Sequence, residues 1–113
     1  MAEHEVVIAG GGPTGMMLAA ELALAGIEAV ILERRLDQSV DGSRAGGLHA
    51  RTMEVLDQRG VVDRFVSAGQ TYPAVGYAQM MLPIDDFPTR FNCVLGLWQS
   101  RFEPILADWV AEL

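Results

Sequence analysis

Gly10, Gly12 and Gly15, with Pro13 and Thr14 between the last two, follow the apolar run Val6-Val7-Ile8-Ala9. Their spacing, Gly-x-Gly-x-x-Gly between a strand and a helix, suits the grip of a nucleotide diphosphate. Gly10 allows the tight turn out of the strand. Gly12, having no Cβ, lets a diphosphate approach the backbone, and Gly15 lets helix and strand pack closely. The start of the helix then turns unpaired N–H groups and a positive dipole end toward the phosphates. A second chemical group lies downstream. The apolar run Glu28-Ala29-Val30-Ile31-Leu32 ends at Glu33, eighteen residues after Gly15. That is near the spacing of the acid that takes ribose hydroxyls in dinucleotide folds. Without the glycine turn, Glu33 would read as a solvated strand-end residue. With it, a carboxylate favours ribose hydroxyls and repels a 2′-phosphate, so FAD or NAD suits the pattern better than NADP. Arg34 or Arg35 would soften that preference by reaching a phosphate.

The elements that must position these residues are a strand over Val6–Ala9, a helix from Met16, and a second, parallel strand ending at Leu32. Met16 to Ala25 is apolar on most faces, which predicts a buried helix, and Gly26 stands where a left-handed cap belongs. The second strand reads as buried on both faces. Residues 34–47 are polar and turn-rich. Leu48 to Gln58 has helical spacing, with Gly60 as its cap, and Val61 to Val66 reads as a short helix. Val75 to Leu82 and Arg90 to Trp98 are β-prone runs separated by a polar turn, which predicts an antiparallel excursion. The chain returns in a helix from Ser100, where Ser100 and Glu103 fit a capping box and Pro104 falls at or just after the first turn.

Composition narrows the classes. The chain has 113 residues, half of them apolar, and a formal charge of −7. It is a globular rather than a disordered chain, and its acidity argues against nucleic-acid binding. All eight basic residues are arginine. The single cysteine, Cys93, leaves no internal disulfide, reads as a packing residue, and makes a cytoplasmic protein the simplest expectation. The start does not resemble a secretory signal, no apolar run approaches a membrane span, and no cluster has metal-ligand spacing. A doubly wound sheet needs more strands than the sequence supplies. The chain is therefore expected to be the amino-terminal part of a longer protein, whose remainder completes the fold.

In order, the sequence contains Val7-Ile8-Ala9-Gly10-Gly11-Gly12-Pro13-Thr14-Gly15, Leu32-Glu33-Arg34, Ser43-Arg44-Ala45-Gly46-Gly47-Leu48-His49-Ala50-Arg51-Thr52-Met53-Glu54 and Leu56-Asp57-Gln58-Arg59-Gly60. This combination resembles the FAD-dependent aromatic hydroxylases of the para-hydroxybenzoate hydroxylase type, above all the bacterial branch acting on aromatic polyketide antibiotics. The resemblance spans nearly the whole chain. It implies an α/β fold: an incomplete Rossmann-like βαβ FAD-binding domain with the start of an antiparallel β substrate domain inserted. Residues 1–70 would begin the FAD-binding domain, 71–98 the substrate domain, and 99–113 would form a helix returning to the first. It also implies roles. Gly10, Gly12, Pro13, Thr14 and Gly15 would hold the FAD diphosphate, Glu33 the ribose, and Arg34 would lie beside the adenine. Arg44 would reach the cofactor phosphates and the moving flavin, and Gln99 the FAD linker. The implied reaction is hydroxylation of an aromatic polyketide with NADPH and oxygen through a flavin hydroperoxide. The later flavin segments of the family are missing, so this piece alone is expected to be inactive.

Other candidates read blandly. His49 and His4 have no catalytic partner in sequence. Met80, Met81 and Met53 read as core packing, Asp85-Asp86 as a solvated turn, and Trp109 as core. Trp98 is either core or a face toward the aromatic substrate. Two other functions remain open. An NAD-linked oxidoreductase would need another βα unit soon after Glu33, where the sequence has a loop. A non-enzymatic nucleotide-binding module would explain the missing later motifs.

Overall fold

The computed structural model describes residues 3–42 and 44–113. Met1, Ala2 and Ser43, the last within the string that carries the resemblance, lie outside the described residues. The chain divides into two compact units, one reaching to Asp41 and including Glu103–Leu113, the other Gly42–Phe102.

In the first unit, strand β1 (Val6–Ala9) leads through the glycine turn into helix α1 (Pro13–Leu24) and then strand β2 (Ala29–Leu32). The two strands pair in parallel, Val6 against Ala29 through Ala9 against Leu32. Proline at the first helical position loses nothing there, since that N–H has no intrahelical partner. The helix stops at Ala25 and Gly26, whose φ of 76° favours glycine. Ile8, Met16, Ala19, Ala20, Leu106 and Trp109 are buried. The expectation of burial all round fails for α1 and for β2, and β1 is open as well. Leu18 is 47 % and Leu24 51 % exposed, and Val7 and Leu32 also stand open. The physical reason is layer number: among the described residues, β1 and β2 pair only with each other.

The second unit is built on strand β7 (Val94–Gly96), which pairs antiparallel with both β3 (Gly47–Leu48) and β4 (Gln70–Tyr72). Helices α2 (Ala50–Gln58) and α3 (Val62–Val66) bury Met53, Leu56, Val62 and Phe65. Leu48 therefore belongs to a strand and not to the helix expected from its spacing. Gly47 and Leu48 extend to meet Gly96 and Leu95, so sheet pairing overrides helical periodicity. The run Val75 to Leu82 is a hairpin rather than one strand: β5 (Ala74–Tyr77) pairs with β6 (Met80–Pro83). Its turn residues, Ala78 and Gln79, adopt φ of 49° and 63°, and neither residue type announces such a turn. Met80 and Met81 are exposed on this hairpin rather than packed in a core.

Helix α4 (Gln99–Glu112) closes the chain. Its first N–H bonds run from Arg101 and Phe102 to the Trp98 carbonyl. The helix begins at Gln99, so Ser100 lies within its first turn rather than at the expected N-cap, and the Glu103 carboxylate accepts from Arg35. Pro104 is the sixth residue of this helix. No helix among the described residues is long and apolar enough to cross a membrane.

Candidate functional site

The turn after β1 is tied down by its neighbours before any ligand is considered. The Gly10 N–H donates to the Leu32 carbonyl at 2.8 Å, joining the turn to the end of β2. The Gly11 N–H donates to Glu33 Oε2 at 2.7 Å. Gly10 has a φ of 107°, open to glycine and strained for other residues. A Cβ on Gly15 would stand 2.0 Å from the Gly10 carbonyl oxygen, so helix and turn touch only because Gly15 has none. Gly12 differs. It is the N-cap of α1, makes no side-chain cap, and nothing lies within 4 Å of where its Cβ would be. Helix geometry leaves the N–H groups of Thr14 and Gly15 without intrahelical partners at that open face. Backbone donors, a helix dipole and free space are what a diphosphate requires.

Glu33 stands beside this turn. Its Oε1 accepts the Arg35 N–H at 2.8 Å, and its Oε2 accepts the Gly11 N–H. These two bonds, Arg35 first and Gly11 second, hold the carboxyl below the usual glutamate value. The residue is thus charged at neutral pH. A carboxylate offers about four acceptor positions, so capacity remains for the hydroxyls of a ribose. The residues fit the adenosine diphosphate half of FAD on these grounds.

Arg35, not its neighbour Arg34, is built into the turn. Its Nε lies 3.5 Å from Glu33 Oε1, its NH1 donates to Glu103 Oε2 at 3.1 Å, and its NH2 reaches the Gly11 carbonyl at 3.4 Å. The Glu103 hydrogen bond is the main cause of a raised guanidinium pKa. Arg34 is exposed at the end of β2. Sequence reasoning gives Gly11 no contact, offers Arg35 only as a residue that could reach a phosphate, and reads Glu103 as a capping residue. Glu103 carried a usable signal: it lies on the same helical stripe as Phe102, Leu106 and Trp109, and an acid on an apolar stripe needs a partner.

Arg44 and Gln99 belong to the second unit. Arg44 is exposed. The Gln99 N–H donates to the Ala45 carbonyl at 2.9 Å, and the Leu97 N–H to the Gly46 carbonyl at 3.0 Å. The start of α4 and the Arg44 loop are therefore brought together. Trp98 is 59 % exposed, and its ring edge would lie 3.2 Å from a Cβ on Gly46. Gly46, Gly69, Gln70, Tyr72, Trp98 and Arg101 border a cavity of about 460 Å³. Trp109 is buried, His49 is exposed, and Asp85 and Asp86 are exposed in a turn. No group of three or more potential metal ligands occurs among the described residues.

Strand, glycine turn, helix and parallel strand ending in an acid define the dinucleotide-binding βαβ class. Within that class the family is settled: the chain belongs to the FAD-binding domain family, whose model matches residues 3–113. It is 44 % identical to the 12-dehydrotetracycline 5-monooxygenase/anhydrotetracycline 6-monooxygenase of Streptomyces rimosus over 112 residues, 97 % of this chain and 22 % of that protein. Its fold matches the anhydrotetracycline hydroxylase OxyS from Streptomyces rimosus with a TM-score of 0.91 and 41 % identity, covering 96 % of this chain and 22 % of the other. It also matches the Diels-Alderase of the pyrroindomycin pathway, with a TM-score of 0.85 and 32 % identity over 95 % of this chain and 23 % of the other. The chain thus spans little more than a fifth of the length of these relatives.

Proposed function

We propose that this chain supplies the FAD-binding start of a flavin-dependent monooxygenase that hydroxylates an aromatic polyketide with NADPH and oxygen. Gly10, Gly12, Pro13, Thr14 and Gly15 hold the FAD diphosphate, Glu33 the ribose, and Arg34 flanks the adenine. Arg44 and Gln99, whose backbones meet through Ala45, reach the phosphates and the linker. Residues 1–70 and 99–113 serve the FAD-binding domain, and 71–98 begin the substrate domain. The observation that carries the reading is the open backbone at Gly12 beside a charged Glu33.

Bound FAD would supply the redox chemistry by which one atom of oxygen enters an aromatic C–H and the other leaves as water, at the expense of NADPH. The protein's share is position and electrostatics. The substrate class follows the tetracycline-type compound in the name of the relative at 44 % identity. A nicotinamide-dependent reaction and a lone cysteine favour a cytoplasmic location.

Cofactor release from the purified protein tests the reading. FAD is expected; NAD, or no cofactor from folded protein, overturns it. Gly12→Asp sharpens the test. The new side chain enters open space, caps the helix well and repels phosphate. Stability should stay within about 0.5 kcal/mol while FAD is lost; retained FAD removes Gly12 from the site. The likeness to a Diels-Alderase favours a second reading, in which the FAD domain serves a cyclisation. In the full-length protein, anhydrotetracycline-stimulated NADPH oxidation supports the hydroxylase; ring formation without NADPH consumption supports the cyclase.

A further inference from the structure

We propose that Glu103 is a positioning residue for the ribose-binding acid, acting through Arg35 on Glu33 and on the Gly11 carbonyl. The inference rests on the reading of Glu33 as the ribose ligand and adds the machinery that aims it.

Glu103 is 1 % exposed, a charged residue buried in the core. A buried carboxylate costs several kcal/mol unless it is paired and hydrogen-bonded, and Glu103 Oε2 accepts from Arg35 NH1 at 3.1 Å. The guanidinium is planar, so fixing NH1 fixes the direction of its other nitrogens. Nε then faces Glu33 Oε1 at 3.5 Å, and NH2 faces the Gly11 carbonyl at 3.4 Å. The Arg35 backbone N–H grips the same Glu33 oxygen at 2.8 Å. One side chain on α4 thus orients a fork that touches both the acid and the carbonyl of the residue whose N–H binds that acid. Glu33 is left with its carboxylate pinned at two atoms and its remaining lone pairs pointing in set directions. A lysine in place of Arg35 would keep the charge opposite Glu103 and lose the fork.

Arg35 is also neutralised by this arrangement. With carboxylates on two sides, its charge is committed within the protein. The arrangement therefore favours a nucleotide with a free 2′-hydroxyl.

Titration of the flavin-free protein with ADP and with 2′-deoxy-ADP tests the relay. The native protein should prefer ADP by about tenfold or more, the worth of a hydroxyl bond to a charged acceptor. Glu103→Gln, nearly isosteric, should cut that preference to about twofold while the affinity for 2′-deoxy-ADP stays within about twofold of native. A residue with a merely structural role would weaken both nucleotides equally, and that result overturns the proposal, as does an unchanged preference. Should Glu103→Gln fail to fold, Arg35→Lys decides: loss of the preference upholds the relay, and its retention overturns it. If the native protein does not distinguish the two nucleotides, the ribose role of Glu33 falls and the relay with it. A native preference that survives both substitutions removes the relay alone.

Discussion

Glycines at the turn after β1 answer differently to an added side chain, and the difference separates folding from binding. At Gly15 a Cβ would meet backbone, the Gly10 carbonyl oxygen at 2.0 Å, and neither peptide can yield without opening the turn. Gly15→Ala should therefore cost about 3 kcal/mol or more, at the upper end for an overpacked site, as read from the denaturant midpoint. Destabilisation below about 1 kcal/mol would show that helix and turn are not held at this distance. At Gly12 the same methyl meets nothing, so its effect belongs to the ligand. Glu33 adds a pH dependence at this scale. Its folded pKa is lowered by the Arg35 and Gly11 N–H groups. Its contribution is therefore full above the ordinary glutamate range and is lost as pH falls through the lowered folded value. Between those limits the unfolded chain binds more protons, so stability rises with pH. Asp37 and Glu54 are lowered too, by Ser39 and by Thr89 and Arg51, so the test is a difference. The acid-side slope of stability against pH should be shallower in Glu33→Gln than in the native protein; identical slopes would mean that the two N–H bonds do not favour the carboxylate.

Among the elements, those with local signals were legible in the sequence and those set by partners were not. The β1–α1–β2 unit announced itself through an apolar run, a glycine turn and a glycine stop, all local features. Glu33 was legible because its distance from Gly15 is fixed by one helix and one strand. Arg35 and Glu103, separated by 68 positions, become neighbours only when α4 folds, so no spacing rule links them. Leu48 was drawn from helix to strand by β7. The β5–β6 hairpin was hidden because Ala78 and Gln79 hold left-handed backbone without the usual Asn-Gly chemistry. Left-handed backbone costs an L-residue about 1–2 kcal/mol. That strain gives a prediction: Ala78→Asn with Gln79→Gly should stabilise the hairpin by about 1 kcal/mol. Amide hydrogen exchange across Val75 and Leu82 measures it, with slower exchange expected. Unchanged or faster exchange would mean that the turn does not hold this conformation in solution.

On the scale of the whole chain, apolar exposure and charge oppose each other. A parallel sheet is ordinarily covered on both faces, and two strands rarely stand alone. Here β1 and β2 leave Val7 56 % and Leu32 61 % exposed, and Leu18, Leu24 and Ile27 stand open in the same unit. Free strand edges beside apolar side chains are a template for association. Against this stands a formal charge of −7 without a single lysine. Repulsion between like-charged copies keeps them apart at low salt and is screened within about 10 Å at 0.1 M salt. The 113-residue chain should therefore sediment as smaller species at low ionic strength and associate as salt is raised, the reverse of an assembly held by ion pairs. Val7→Lys places a charged side chain on the open strand, which pairing with another copy would have to bury, one of the devices by which natural sheet edges avoid pairing. It should shift the salt-induced association to higher protein concentration. Association that weakens with salt, or that ignores Val7→Lys, would show that ion pairs or another surface hold the copies together.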